Sequence, residues 1–186
     1  MSPDLTSITW TLQEGLLWSD GTPVTSADVK FSADYCMHPE GGCAQLAKFD
    51  GIKSISIPDD LPIVVTFEGP MPNPYGPFMG GQTPIIQKAQ FENCLGPKAQ
   101  QCTEQNFNPI GTGPFVVTEF KPNDVIQMKA NVNYREAGKP AFATLVFKGG
   151  GDAAGGGMGD GDGGGDAGGD GGDGRHAGHA GYAGYG

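Results

Sequence analysis

Residues 15–32 read GLLWSDGTPVTSADVKFS, and this stretch decides how the first part of the chain folds. Gly21 can adopt the positive φ of a tight turn, and the Asp20 side chain can bond back to nearby backbone. Thr25 is a favoured helix N-cap, and Asp28, three residues on, places its charge near the positive helix end. The hydroxyl and carboxylate groups are thus predicted to serve a turn and a helix start. They are poor candidates for catalysis.

The composition divides the chain in two. Of 33 glycines, 20 follow Lys148. Residues 149–186 are too poor in large apolar side chains to bury a core, so they are expected to form a flexible, Gly/Asp-rich, low-complexity tail. The foldable part is therefore predicted to be residues 1–148.

The charge and the hydropathy of the chain argue against binding to nucleic acid and against membrane insertion. The net charge is −10, and half of it lies in the tail, which holds six Asp and one Arg. No run of Lys or Arg with interleaved aromatic residues is present, so binding to nucleic acid is not expected. No apolar stretch approaches the ~20 residues that cross a bilayer, so membrane insertion is not expected either.

The four cysteines form two close pairs, Cys36 with Cys43 and Cys94 with Cys102. Two local disulfides are the simplest arrangement, and they would place the protein in an oxidising compartment. Free thiols are the next alternative. A zinc site is the last, because neither pair has knuckle spacing and His38 is the only nearby imidazole.

The remaining pattern predicts an α+β fold of mostly antiparallel β-hairpins with a few helices and long Pro/Gly-rich loops. Strands are predicted from the alternation and β-branched content of residues 7–12, 52–57, 63–67, 115–120, 125–129 and 140–148. A short helix is predicted within residues 84–96. Residues 70–84, PMPNPYGPFMGGQTP, are predicted to be an ordered loop that buries Met71, Tyr75, Phe78 and Met79.

No constellation of catalytic residues emerges. The GTGP segment at residues 111–114 lacks the Lys and Ser/Thr of a phosphate-binding loop and precedes a strand. His176 and His179 fall in the tail, and no Asp is placed to orient His38. The adjacent Asp59 and Asp60 fit a hairpin turn. We therefore expect neither an enzyme nor a bound cofactor or metal.

Two motifs together resemble the family 5 extracellular solute-binding proteins, which are the receptors of bacterial ABC importers for peptides, nickel and oligosaccharides. The first is TWTLQEGLLWSDGTPVTSADVKFS at residues 9–32. The second, at residues 108–148, contains a Pro-x-Gly-Thr-Gly-Pro turn, a hairpin and a strand ending in Phe-Lys. The positions that carry the first motif are Leu12, Gly15, Trp18, Asp20, Gly21, Thr22, Pro23 and Thr25.

The resemblance implies a role and a limit. Family members are two-lobed and close around a solute, and residues 1–148 resemble only part of the first lobe. The implied partners are a peptide or other small solute and an ABC permease, in a periplasmic or extracellular setting. We expect the chain alone to bind solute weakly, and no ligand-contacting residue is assigned. The alternative is a structural or self-associating interaction module with a flexible acidic tail.

Overall fold

The computed structural model describes residues 1–149. The predicted tail, residues 149–186, therefore lies outside the described residues apart from Gly149. The strands are β1 (Ser7–Thr11), β2 (Ile52–Ser56), β3 (Pro62–Phe67), β4 (Phe115–Lys121), β5 (Val125–Ala130) and β6 (Thr144–Lys148). The α-helices are α1 (Ser26–Met37), α2 (Lys88–Phe91) and α3 (Thr103–Phe107), and 3₁₀ turns span Leu46–Phe49, Glu92–Cys94 and Gly96–Gln101.

The first sheet contains β1, β3 and β2, in that order, and both pairings are antiparallel. The predicted hairpin of residues 52–57 and 63–67 is confirmed as β2 and β3. A register shift between Ile52 and Ser54 interrupts that pairing. The sequence had not indicated that β1 would lie on the other side of β3, where Trp10 opposes Ile63.

The main core lies where α1 meets the first sheet. Alternate residues of β3 are buried, as expected for a strand with one face against a core. Val29 of α1 packs among these side chains, and it is 2% exposed. The buried core residues are Ile8, Val29, Ile63, Val65 and Phe67.

The second sheet contains β4, β5 and β6, in that order, again antiparallel. The predicted strands at residues 115–120 and 125–129 and the final strand are confirmed. Its residues are half-buried or exposed, and none of the buried core clusters includes them. In the described residues the antiparallel α+β architecture therefore stands as predicted, but only the first sheet is packed against a helix-covered core.

The Pro-rich loop is ordered, but one part of its prediction is wrong. Met71 and Phe78 pack against the main core, whereas Tyr75 and Met79 are about half exposed, at 51% and 50%. Buried Pro74 anchors the loop, so the large side chains on either side need not all turn inward. In the described part of the chain, none of the helices has the length and apolar character needed to cross a membrane.

Candidate functional site

An open groove of about 280 Å³ lies between the turn that follows β1, the start of α1 and the start of α2. Residues 15–32 supply one wall, with Trp18 and Asp28, and residues 87–92 supply the other. The two walls are about 60 residues apart in sequence, so the fold brings them together. This groove is where the polar residues singled out in the sequence gather.

Asp28 lies at the base of this groove and is 7% exposed. Its Oδ2 accepts hydrogen bonds from the backbone N–H of Thr25 at 2.9 Å and from the indole Nε1 of Trp18 at 3.3 Å. Its Oδ1 accepts a hydrogen bond from the backbone N–H of Lys88 at 2.9 Å. The bond to the Thr25 N–H is the helix-cap contact, and the other two bonds connect Asp28 to the turn at Trp18 and to the start of α2 at Lys88.

Thr25 is the N-cap of α1, as predicted, with extended backbone. Its carbonyl accepts the backbone N–H of Asp28 at 3.0 Å, which closes the first turn. The next residue, Ser26, donates its backbone N–H to the Asp60 carbonyl at 2.7 Å and its hydroxyl to the Asp59 carbonyl at 2.6 Å. The backbone between β2 and β3 thus fixes the start of α1.

A second set of polar residues, Asp20, Thr22 and Gln87, also lines the groove. Asp20 Oδ1 accepts the backbone N–H of Thr22 at 2.9 Å and its hydroxyl at 2.6 Å. Gln87 is 3% exposed, and its Nε2 donates to Asp20 Oδ2 at 2.8 Å and to Thr22 Oγ1 at 2.9 Å. Burial alone would raise the pKa of Asp20, but the hydrogen bonds from Thr22 and Gln87 outweigh it and hold that pKa below its ordinary value.

Ser32 adds a further tie between the same elements. Its hydroxyl donates to the Asp28 carbonyl one helical turn earlier at 2.8 Å and accepts the backbone N–H of Ile86 at 2.8 Å. The contacts of Ser32, Gln87 and the Lys88 backbone were not predictable from the sequence pattern. The pattern of side chains does not indicate which partner a backbone N–H will find, and no local motif connects positions more than 50 residues apart.

The polar groups of the groove hold neighbouring parts of the fold together. The buried carboxylate and amide are engaged by protein donors and acceptors, which is the ordinary state of buried polar groups. The Thr22 hydroxyl donates to the Asp20 carboxylate, but the low pKa of Asp20 makes it a weak base, so this pair fits a turn better than an activated nucleophile. Within residues 1–149, no group of three or more His, Cys, Asp or Glu side chains is placed to hold a metal ion.

Both cysteine pairs lie at disulfide distance. The Cα atoms of Cys36 and Cys43 are 5.0 Å apart, and those of Cys94 and Cys102 are 5.9 Å apart. The two loops meet at His38, whose ring lies against the backbone of Gly96. A disulfide at each pair would close a short loop, and His38 brings the two loops into contact.

A different kind of surface lies at the second sheet and the segment before β6. It contains large apolar side chains that are at least half exposed. They are Val132 at 92%, Phe142 at 71%, Val146 at 50% and Phe147 at 51%. Adjacent strand residues such as Val146 and Phe147 point to opposite faces of the sheet, and singly exposed apolar side chains are ordinary on protein surfaces.

The comparison with protein families matches residues 1–155 to the bacterial extracellular solute-binding proteins, family 5 Middle. A relative described as an ABC transporter peptide-binding protein of Brucella ovis is 28% identical over 148 residues. The alignment covers 78% of this chain and 27% of that protein. The glutathione-binding protein GsiB of Escherichia coli is 24% identical over 148 residues, covering 80% of this chain and 28% of GsiB.

Solved structures agree with the family comparison. The chain is similar to NikZ from Campylobacter jejuni, solved in complex with Ni(L-His), with 26% identity and a TM-score of 0.67 over 80% of this chain and 28% of NikZ. The fold also matches the oligopeptide-binding protein AppA of Bacillus subtilis in complex with a nonapeptide, with 24% identity and a TM-score of 0.65 over 80% of this chain and 29% of AppA.

The matched relatives are all much longer than this chain. The chain spans less than a third of the length of each of these relatives. The family match covers residues 1–155, so it includes both antiparallel sheets and Asp28. With most of its length matched by the family profile, the chain belongs to the family 5 bacterial extracellular solute-binding proteins.

Proposed function

We propose that this chain is part of the substrate-binding receptor of a bacterial ABC importer, with a peptide or similar small solute as its ligand and a permease as its partner. The observation that carries the proposal is the family match over residues 1–155. The structural agreement with NikZ at a TM-score of 0.67 supports it, because it covers 80% of this chain rather than a single motif.

The class of solute is inferred from what the relatives' descriptions state. They include a peptide-binding protein, a glutathione-binding protein, an oligopeptide-binding protein with a nonapeptide, and a protein holding Ni(L-His). These ligands are peptides or small complexes of an amino acid. A peptide-like solute is therefore the proposed ligand class for a receptor that contains this segment.

The described residues favour a scaffold role within such a receptor. A receptor of this kind gains affinity by burying its ligand in a concave site, and closing around the ligand completes that site. The groove at Asp28 is open, and the protein's own groups engage its buried polar atoms. We therefore propose that the chain alone binds solute weakly and that residues beyond those matched here complete the site.

The proposed setting is the periplasm or the cell exterior. Both cysteine pairs lie at disulfide distance, and disulfides persist in oxidising compartments. The family itself is described as extracellular.

A graft tests the receptor role. Residues 1–148 would replace the matched segment of the E. coli glutathione-binding protein, and binding of glutathione, Ni(L-His) and a dipeptide mixture would be measured by calorimetry. We expect a cooperatively folding graft that binds at least one of these solutes. A folded graft that binds none of them would overturn the receptor role.

A parallel titration tests the weak binding of the chain alone. The full 186-residue chain would receive the same solutes, with the E. coli protein as the positive control. We expect no saturable heat in the micromolar range. One-to-one binding with a micromolar dissociation constant would overturn the proposal that the site is completed elsewhere, while leaving the receptor role intact.

A further inference from the structure

Two Asp–Gly steps lie in the part of the chain that the structure describes, at Asp20–Gly21 and at Asp50–Gly51. An aspartate can react with the next residue's backbone N–H, and glycine has no side chain to shield that group. The nitrogen attacks the side-chain carboxyl carbon, the new C–N bond forms, and one water leaves with the amide proton, which gives a succinimide ring. Water then opens the ring at either carbonyl. The product is aspartate again or isoaspartate, in which the main chain runs through the side-chain carbon.

The fold holds both reacting groups of the first step in place. The Asp20 carboxylate accepts hydrogen bonds from Thr22 and Gln87, and the N–H of Gly21 donates to the Trp18 carbonyl at 2.9 Å. Burial alone would raise the pKa of Asp20, but these hydrogen bonds to the carboxylate outweigh it and lower that pKa. An ionised carboxylate is a poorer electrophile than the protonated acid. Ring closure at Asp20 therefore requires several hydrogen bonds to break together.

Fewer contacts hold the second step. Asp50 is exposed and follows the 3₁₀ turn Leu46–Phe49, and its N–H donates to the Ala47 carbonyl at 3.4 Å, which is long for a hydrogen bond. Within residues 1–149, the N–H of Gly51 donates to no backbone carbonyl, and the Asp50 carboxylate is in no ion pair. Ring closure needs the ψ of Asp50 to leave its value of 141°, and these contacts resist that rotation only weakly.

The packing around Gly51 requires the glycine that makes this step reactive. Its φ is +77°, and an added Cβ would lie 2.9 Å from the terminal methyl carbon of Met71. The Gly51 carbonyl accepts the N–H of Glu68 at 2.9 Å. Because glycine rotates freely about φ, the peptide before it can turn while this carbonyl stays bonded. The fold thus preserves an unshielded N–H directly after an exposed aspartate.

We propose that Asp50 is a site of spontaneous isoaspartate formation through Gly51, and that the hydrogen bonds at Asp20 protect the chemically equivalent step there. The reaction is intramolecular and consumes only water, so it needs no partner surface and does not depend on the proposed receptor role. Isoaspartate at residue 50 adds one carbon to the main chain just before β2. It therefore displaces the Gly51 carbonyl from Glu68 at the start of the β2–β3 pairing.

Peptide mapping of aged protein tests the site directly. The full chain would be incubated at neutral pH and physiological temperature, folded in buffer and unfolded in urea. Trypsin releases Asp50 in residues 49–53 and Asp20 in residues 1–30, and electron-transfer fragmentation distinguishes isoaspartate from aspartate. Mapping by peptide is necessary because four further Asp–Gly steps follow residue 149.

The comparison of folded and unfolded protein separates the effect of the fold from that of the dipeptide. In the folded chain we expect at least about tenfold more isoaspartate at Asp50 than at Asp20, because local opening differs between the two sites. In urea the two sites should convert to similar extents. An equal ratio in the two states, or no isoaspartate at Asp50 in the folded chain, would overturn the proposal.

Two variants test the two halves of the proposal separately. Asp50→Glu disfavours the succinimide ring, so it should remove the isoaspartate from residues 49–53 and leave Asp20 unchanged. Gln87→Leu removes one donor to Asp20 and should raise isoaspartate there about fivefold, the factor that corresponds to one net hydrogen bond. If circular dichroism shows that Gln87→Leu does not fold, Thr22→Val removes the hydroxyl donor instead. Unchanged conversion at Asp20 in the folded variant would overturn the assigned protection.

Discussion

Asp28 accepts a hydrogen bond from the backbone N–H of Lys88 at 2.9 Å, across 60 residues of sequence. Its other carboxylate oxygen holds the N-cap of α1 and the indole of Trp18. One buried side chain thus fixes the relative positions of the turn after β1, α1 and α2. The polar stretch at residues 15–32 consequently holds these three parts of the fold together.

Gly96 is predicted to tolerate no side chain. Its φ is +64°, and an added Cβ would lie 2.5 Å from a ring carbon of His38. We expect Gly96→Ala to lower the free energy of unfolding by about 2 to 3 kcal/mol, from backbone strain together with the clash. Urea denaturation would measure the change.

Gly80→Ala is the matched control, because Gly80 has a φ of +79° with nothing within 4 Å of the added Cβ. It should lose only about 1 kcal/mol, from backbone strain alone. In a double-mutant cycle, His38→Ala should recover about 1 kcal/mol of the Gly96→Ala loss. Strictly additive effects would show that the contact between the two disulfide loops carries no energy.

The low pKa of Asp20 is predicted to depend on Gln87. Gln87→Leu removes a donor to the Asp20 carboxylate, so the pKa of Asp20 should rise towards its ordinary value of 3.8. NMR titration of the Asp20 carboxyl would measure it. Gln82→Leu, an exposed neighbour in the same loop, should leave the pKa of Asp20 unchanged.

The same shift predicts how stability depends on pH. Because the folded-state pKa of Asp20 is lowered, its contribution is present above about pH 3.8 and is lost as the pH falls through the folded value. Stability of the wild type should therefore fall more steeply below pH 3.8 than that of Gln87→Leu. Parallel acid profiles of the two proteins would contradict this assignment.

The disulfides are predicted to be formed and to stabilise the fold. Their sequence separations are 7 and 8 residues, for which loop-closure entropy gives about 2.5 kcal/mol each. Replacing Cys94 and Cys102 by alanine should cost at least that much, because Cys94 is fully buried beside Phe31 and Phe91. Urea denaturation measures the loss. Four reactive thiols in the unreduced, denatured protein would refute both bonds.

Local patterns in the sequence were sufficient for the strands, α1 and α2, but not for α3 or for the contacts between elements. The alternation of residues 52–57 and 63–67 identified the hairpin, and Thr25 with Asp28 identified the start of α1. The position of β1 beside β3 and the Asp28–Lys88 bond were not predictable, because each joins segments more than 50 residues apart through backbone groups. Tyr75 and Met79 were wrongly expected to be buried, since hydrophobicity alone does not specify which side of a loop faces the core.

The hydrogen bonds of Asp28 hold the turn after β1, α1 and α2 together. The free energy of unfolding of Asp28→Ala in urea is the most direct measurement of this role. The substitution leaves the N–H donors of Trp18, Thr25 and Lys88 without their acceptor, so we predict a loss of about 3 kcal/mol. Asp34→Ala, on the same helix in a solvent-exposed pair with Lys30, should lose less than about 1 kcal/mol. An Asp28→Ala variant as stable as Asp34→Ala would contradict the account.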